Sequence, residues 1–371
     1  MIINSVSQGN HYSFHRFFPI FSFACIVVIS TGITRAQQPY FYKGYDYGSD
    51  AVYNPISVIL NGGFDMFQVS HQRNIGKVPF YQSGKNVLRN ILDPIGPIRR
   101  YGWWNFLQEQ VIPISFNREN AQYWPNYSLH LIGGGMEYTM MKEWYEYNNC
   151  AYPRLFSIVT LYTYHFINEI TENDTYIGDN VDPIADLCLF DVGGIILFSF
   201  DNVNEFFSKT LNLADWSLQP SFSVRNLHLH NIGQFFSVKW KFPFSDRWHL
   251  FYYFGTNGMG GVSYKCPDGD AFSFGVGMAA SDLILLNRTS NKKTLDLVWD
   301  IGFFYDRNNS LLASLSITKK TDYIANLNIY PGVVRIGNFS PGLWCAYCER
   351  EGLLLGLTVA WSPVGVAIST R

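Results

Sequence analysis

The chain has 371 residues, enough for one large or two ordinary domains, and a formal net charge of −2 that excludes the basic footprint of a nucleic-acid binder. Only 15% of residues are charged and 17% are aromatic, against about 25% charged in soluble domains, so solvating side chains are scarce. Beyond the N-terminus no run suits a spanning helix, which leaves a closed transmembrane barrel as a physical option.

Residues 1–36 read as a secretory signal peptide. His15 and Arg16 supply a weak positive region, Phe17 to Ile33 an apolar stretch, and Thr34-Arg35-Ala36 a small-residue processing site. Cys25 lies within the apolar stretch without a good lipoprotein motif around it. The five later cysteines, Cys150, Cys188, Cys266, Cys345 and Cys348, are odd in number and do not make a complete disulfide framework.

Residues 37–125 predict an irregular N-terminal region with a helix. Gln37 to Val78 is rich in Tyr, Gly and Asn and is expected to lie over the surface. A helix is predicted from Lys85 to Leu92, stopped by Pro94. Arg99 and Arg100 beside Trp103 and Trp104 suit a membrane–water interface, and equally an ordinary half-buried aromatic cluster.

Residues 126–215 predict a helical segment. Tyr127 to Ile132 reads as a short strand ended by Gly133-Gly134-Gly135, followed by helices over Met136 to Tyr147 and Leu155 to Glu169. On the second helix His165, Asn168, Glu169 and Glu172 share one face, and Phe156, Ile158, Val159, Tyr162, Phe166 and Ile170 the other. The run Ile184 to Phe200 is almost all apolar, yet it holds Asp186, Asp191 and the pair Gly193-Gly194. At roughly 17 residues it is marginal for a span, so it reads as a buried segment with a break at the glycines. Asn202 and Glu205 fit a capping box for one more helix carrying Val203, Phe206, Phe207 and Leu211 on a stripe.

From 216 to 371 the period becomes two. Leu295, Leu297, Trp299, Ile301, Phe303 and Tyr305 alternate with Asp296, Val298, Asp300, Gly302, Phe304 and Asp306, and about ten segments behave likewise. One face is bulky and apolar and the other small or polar, as in a barrel with a lipid-facing exterior. Lys239, Lys241, Asp296, Asp300 and Asp306 are expected inside, as a polar plug or the lining of a small pore. The expected fold class is therefore mainly β: a transmembrane antiparallel β-barrel of about 10–12 strands preceded by amphipathic helices. The chain ends Ile368-Ser369-Thr370-Arg371 rather than on an aromatic residue, which leaves its mode of closure open.

Glu137 to Glu146, Tyr164-His165-x-x-Asn168-Glu169, Asp182-Pro183-Ile184-Ala185-Asp186 and Asp191-x-Gly193-Gly194-Ile195 together resemble an uncharacterised Gram-negative outer-membrane family, a domain of unknown function. The resemblance spans about residues 125 to 220. It implies a bacterial outer-membrane protein whose helices dock on a barrel, and it brings no established activity.

The candidate chemistry is polar. His165, Glu169 and Glu137 are candidate catalytic residues, and Asp182 and Asp186 candidate metal ligands, with Asp191 nearby. Such a set suits hydrolysis or transfer on a lipid, and it equally suits plain hydrogen bonding between buried groups. No HExxH, nucleophile elbow or P-loop is present, and no cofactor is implied. His228 and His230 share a strand face as a metal pair or a loop-edge pair at the barrel mouth. The leading expectation is an integral outer-membrane barrel with a structural or envelope-binding role, its partners outer-membrane lipid and the barrel-assembly machinery, with no nucleic acid or nucleotide cofactor. The alternative is an outer-membrane lipid-modifying hydrolase or transferase using His165 and Glu169.

Overall fold

Alternation of side chains about a β-pleat predicts where each strand's polar and apolar residues point, and the computed structural model allows that to be read directly. It describes residues 38–113, 127–287 and 292–371. The expected signal peptide, with Cys25, lies outside the described residues.

Among the described residues the strands form one 13-stranded sheet, so the fold is mainly β with a helical segment before it. The strands are β1 (Ala214–Asp215), β2 (Ser221–Ser223), β3 (His228–His230), β4 (Phe236–Lys241), β5 (Trp248–Phe254), β6 (Asn257–Lys265), β7 (Asp270–Asn287), β8 (Lys292–Arg307), β9 (Ser310–Thr318), β10 (Ala325–Ile329), β11 (Gly342–Cys348), β12 (Gly352–Thr358) and β13 (Gly365–Ser369). From β4 to β13 they follow each other as an antiparallel meander. The ladder is open, which differs from the closed ring that the segment pattern predicts. Its order is β1-β4-…-β13-β2-β3, and β13 meets β2 in parallel. The physical reason is that one stretch, 214–223, is divided. Its first part pairs with β4, its last part with β13, and Trp216 to Pro220 between them bond outward individually. Trp216 N–H donates to Phe235 O and Leu218 N–H to Gly233 O, while Pro220 O accepts from Gly365 N–H.

The expected two-faced pattern is present. Trp240, Leu250, Val262, Phe274, Val276, Trp299, Phe303, Leu327, Tyr347, Leu355 and Val366 are exposed on the outer face. Inside, Trp216, Phe235, Phe251, Tyr253, Met259, Phe304 and Tyr330 form an aromatic-rich core. An amide network fills the space beside it. Asn231 Nδ2 donates to Asn328 Oδ1 (2.8 Å), Asn328 Nδ2 to Asn326 Oδ1 (3.1 Å) and Asn326 Nδ2 to Asn231 Oδ1 (3.0 Å). Lys239 pairs with Asp306 in this interior, and Asp300 accepts from Asn257 and Ser316. Lys241 is instead exposed and pairs with Asp246, and Asp296 is half-buried.

The helices are α1 (Gly48–Val52), α2 (Pro55–Gly63), α3 (Phe67–Ser70), α4 (Phe80–Leu92), α5 (Ile95–Tyr101), α6 (Trp103–Phe106), α7 (Gly135–Tyr147), α8 (Pro153–Asn173), α9 (Asp182–Leu197) and α10 (Asp201–Thr210). Residues 48–70 are thus helical and largely buried rather than an irregular surface stretch. Asn54 caps α2, accepting from the backbone N–H groups of Ile56 and Ser57, with Pro55 in the first turn. Segment 48–73 touches both rims of the sheet. Asp50 N–H donates to Ser310 Oγ beside the β8–β9 turn, and Arg73 pairs with Asp322 and Glu351 in turns at the other end. Trp103 and Trp104 are exposed.

Tyr127 to Gly134 is a wide helical turn leading into α7, not a strand. Helix α9 runs through Gly193-Gly194 without a break, and it contains a wide turn at Asp186–Phe190. Helix α10 has no side-chain cap, so the predicted Asn202 capping box does not form. Among the described residues no single helix is long and apolar enough to cross a membrane. Helices α9 and α10 meet that test only as a pair bent by 86°. The five described cysteines are free.

Candidate functional site

Helix α8 turns its polar face inward. Ser157, Thr160, Tyr164, His165, Glu169 and Asn173 are buried, while Phe156 and Val159 of the opposite face are exposed. The spacing i, i+3, i+4 is an ordinary helical stripe, and here the stripe packs against other polar elements. Helix α9 supplies Asp186 and Asp191, both buried, and the wide turn before α7 supplies His130.

Asp191 is the centre of the cluster. Its Oδ1 lies 3.0 Å from His130 Nδ1 and its Oδ2 2.8 Å from His165 Nδ1. The two imidazole rings are 4.2 Å apart between centroids. His130 Nε2 faces the other way, 3.4 Å from Asp186 Oδ2. Ligand-type atoms of His130, Glu169 and Asp186 all lie within 4.8 Å of one another. Glu169 is 1% exposed, and its carboxylate oxygens meet no hydrogen-bond donor apart from the neighbouring acid Asp186.

The electrostatics follow from burial and company. Burial pushes the His165 imidazole down to about 4, against the pull of Asp191. Burial alone would raise Asp191, but its two imidazoles hold it below the usual carboxylate range. Burial and neighbouring acids push Glu169 and Asp186 well above that range. Asp182 is pushed up to about 7, by burial first and then by Glu172.

The predicted residues are thus partly assembled. His165, Glu169, Asp186 and Asp191 converge, and Asp182 lies at the head of the same helix. Glu137 belongs to a different contact: its Oε2 accepts the Tyr53 hydroxyl at 2.6 Å, and burial and Asp215 push it well above its usual value. Two residues were not singled out from the sequence. His130 falls in a run whose sequence predicts a strand, although a helical reading of that run places it toward α8. Glu143 accepts backbone N–H groups from Tyr40, Phe41 and Tyr42 at 2.6–2.9 Å and ties down the first described stretch. His228 and His230 lie near Glu351, but Arg73 Nη1 already engages that carboxylate at 2.8 Å.

Two cavities lie elsewhere. One of about 380 Å³ is lined by Tyr40, Lys43, Asp50, Glu205 and Asp215, and one of about 70 Å³ lies inside the sheet beside Phe304 and Asn326. Neither is lined by His165 or Glu169. Compared with protein-family models, curated proteins and solved structures, the chain matches none.

Proposed function

We propose that the chain is an integral outer-membrane β-barrel protein, of the uncharacterised Gram-negative kind it resembles, with a structural or binding role in the envelope. The observation that carries this reading is the outer face of β4 to β13, where tryptophan, phenylalanine, leucine and valine are exposed strand after strand while serine, asparagine and aspartate are buried. Water penalises an apolar patch of that extent, whereas a bilayer is its natural solvent. The first strand of the ladder, β1, and the strand that meets β13, β2, are both carried on the stretch 214–223, which favours a ring with a two-part closing segment. The interior is filled by the aromatic core and the amide network, so the reading is a plugged barrel rather than a general pore. The helices dock on it and do not span the membrane. Outer-membrane lipid and the barrel-assembly machinery are then its partners.

The test is membrane fractionation followed by electrophoresis with and without boiling. An outer-membrane band that shifts on heating is expected. A protein released without detergent and unshifted by heat would overturn the reading.

The second reading, a lipid-modifying hydrolase or transferase, is favoured by the 2.8 Å pairing of His165 with Asp191, which resembles a general base and its orienting acid. His165→Ala would then abolish a change in lipid composition without preventing assembly. Unchanged lipids in an assembled variant would dismiss it.

A further inference from the structure

We propose that His130 Nε2, Asp186 and Glu169 form a binding site for one divalent transition-metal ion, with Asp191 as the positioning residue behind it. The argument starts from tautomers. Asp191 is buried and faces the Nδ1 atoms of both His130 and His165 at 3.0 and 2.8 Å. A carboxylate only accepts, so the neutral imidazole of His130, the form that binds a metal, carries its proton on Nδ1 and presents a lone pair at Nε2. That lone pair points at Asp186, 3.4 Å away. Carboxylate–histidine–metal arrangements have this form, in which the outer acid fixes the ring and raises the basicity of the ligating nitrogen.

The spacing agrees. Ligands about 2.0–2.2 Å from a zinc ion in tetrahedral geometry stand roughly 3.3–3.6 Å apart. The His130–Asp186 separation is in that range, and Glu169 has an oxygen within 4.8 Å of both, so that carboxylate has to move in by up to about 1 Å to complete the set. The second, independent observation is Glu169 itself. It is 1% exposed and its oxygens find no hydrogen-bond donor other than the neighbouring acid Asp186, although a buried carboxylate needs either a proton or a cation. Among the described residues no lysine or arginine forms an ion pair with it. A divalent ion answers both carboxylates, Glu169 and Asp186, at once. One imidazole with two carboxylates suits zinc, iron(II) or manganese. The alternative set, His130, His165 and Asp191, is less apt, because both Nδ1 atoms are already committed to Asp191. The site joins the turn before α7, α8 and α9, so the ion would brace the helical segment.

The experiment uses the full chain in detergent, stripped with a chelator and then given Zn²⁺ or Mn²⁺ alone. Bound metal and the thermal midpoint are read, neither of which depends on where the protein resides in the cell. One retained equivalent is expected, with a midpoint that falls on chelation and recovers on adding metal. The near-isosteric Glu169→Gln should weaken binding by more than tenfold, and Asp191→Asn by about 10–100-fold. His228→Ala, at the other histidine pair, should retain the ion. A wild-type chain that keeps neither metal, or a Glu169→Gln chain that binds as wild type does, would overturn the proposal. Should Glu169→Gln not fold, the chelation cycle on the wild type and Asp191→Asn decide it.

Discussion

Lys239 Nζ lies 2.7 Å from Asp306 Oδ1 in the interior of the sheet, joining β4 to β8 across three intervening strands. Both are almost fully buried, Lys239 also faces the Trp216 ring at 5.1 Å, and Asn309 N–H donates to the same aspartate oxygen at 3.1 Å. Two strands so far apart in the ladder touch only because the sheet curls. Removing one partner strands a buried charge, so Lys239→Met or Asp306→Asn should each cost about 3–5 kcal/mol. The double variant Lys239→Met/Asp306→Leu should recover most of that. Denaturant midpoints of the four proteins check it, and a single variant as stable as the wild type would refute the buried pair.

Gly194 lets α9 touch the turn that carries His130. A Cβ there would meet Leu131 O at 2.8 Å and His130 O at 3.0 Å, both backbone atoms that cannot swing aside. A Cβ on Gly193 meets only the end of the Leu131 side chain, at 3.0 Å. Gly194→Ala should therefore cost about 1–3 kcal/mol by forced displacement, and Gly193→Ala clearly less. Equal thermal midpoints for the two would show that the close approach is not what this glycine serves.

That pair also shows where sequence reasoning stops. Gly193-Gly194 reads as a helix break because glycine lowers helix propensity, but propensity gives way to a backbone contact that only the partner element reveals. Tyr127 to Ile132 reads as a strand because a short apolar run has no decisive period. Its glycines read as a terminator, and they in fact admit Phe236 and Phe198 against the backbone. A strand pattern gives His130 no helix face to share with His165, so the sequence does not bring the two together. Asn54-Pro55 was a legible start signal for α2, masked by the loop-like composition around it. In contrast the strands were legible, since Trp299 and Phe303 on one face of β8 and Asp300 and Asp306 on the other differ in chemistry as well as in size. The split of 214–223 was not legible, because it depends on the parallel meeting of β13 with β2.

His71 should give the fold a measurable pH dependence. Its Nε2 lies 2.7 Å from Asp282 and its Nδ1 2.8 Å from Asp322, so both ring nitrogens face acceptors and the charged imidazolium is favoured. Burial works against that charge, but the two aspartates outweigh it and hold His71 above its ordinary value. A raised value means that the folded state binds the proton more tightly than the unfolded chain does. The stabilisation is then complete below about pH 6.5, the unfolded value, and is lost as pH rises through the folded one. Denaturant midpoints measured on either side of that window should fall in the wild type with rising pH. His71→Gln should flatten this step, and a variant with an unchanged step would assign it to another group.

The outer face gives the sharpest mutational test of the membrane reading. Val276 sits midway along β7, 50% exposed, with Gly260 and Ile301 as its register neighbours. Phe274 and Met278 flank it on the same face and are also exposed. If this face meets lipid, an arginine at its centre must desolvate or snorkel, and Val276→Arg should cost about 2–4 kcal/mol near the bilayer midplane. The expected result is less heat-shifted protein in the membrane fraction, with Val276→Leu behaving as wild type. In water the same arginine would be free to solvate and would break up an apolar patch, so solubility would rise and folding would be unaffected. A Val276→Arg chain recovered in the membrane fraction with the yield and heat shift of the wild type would therefore count against lipid contact along β7, and against the barrel built on it.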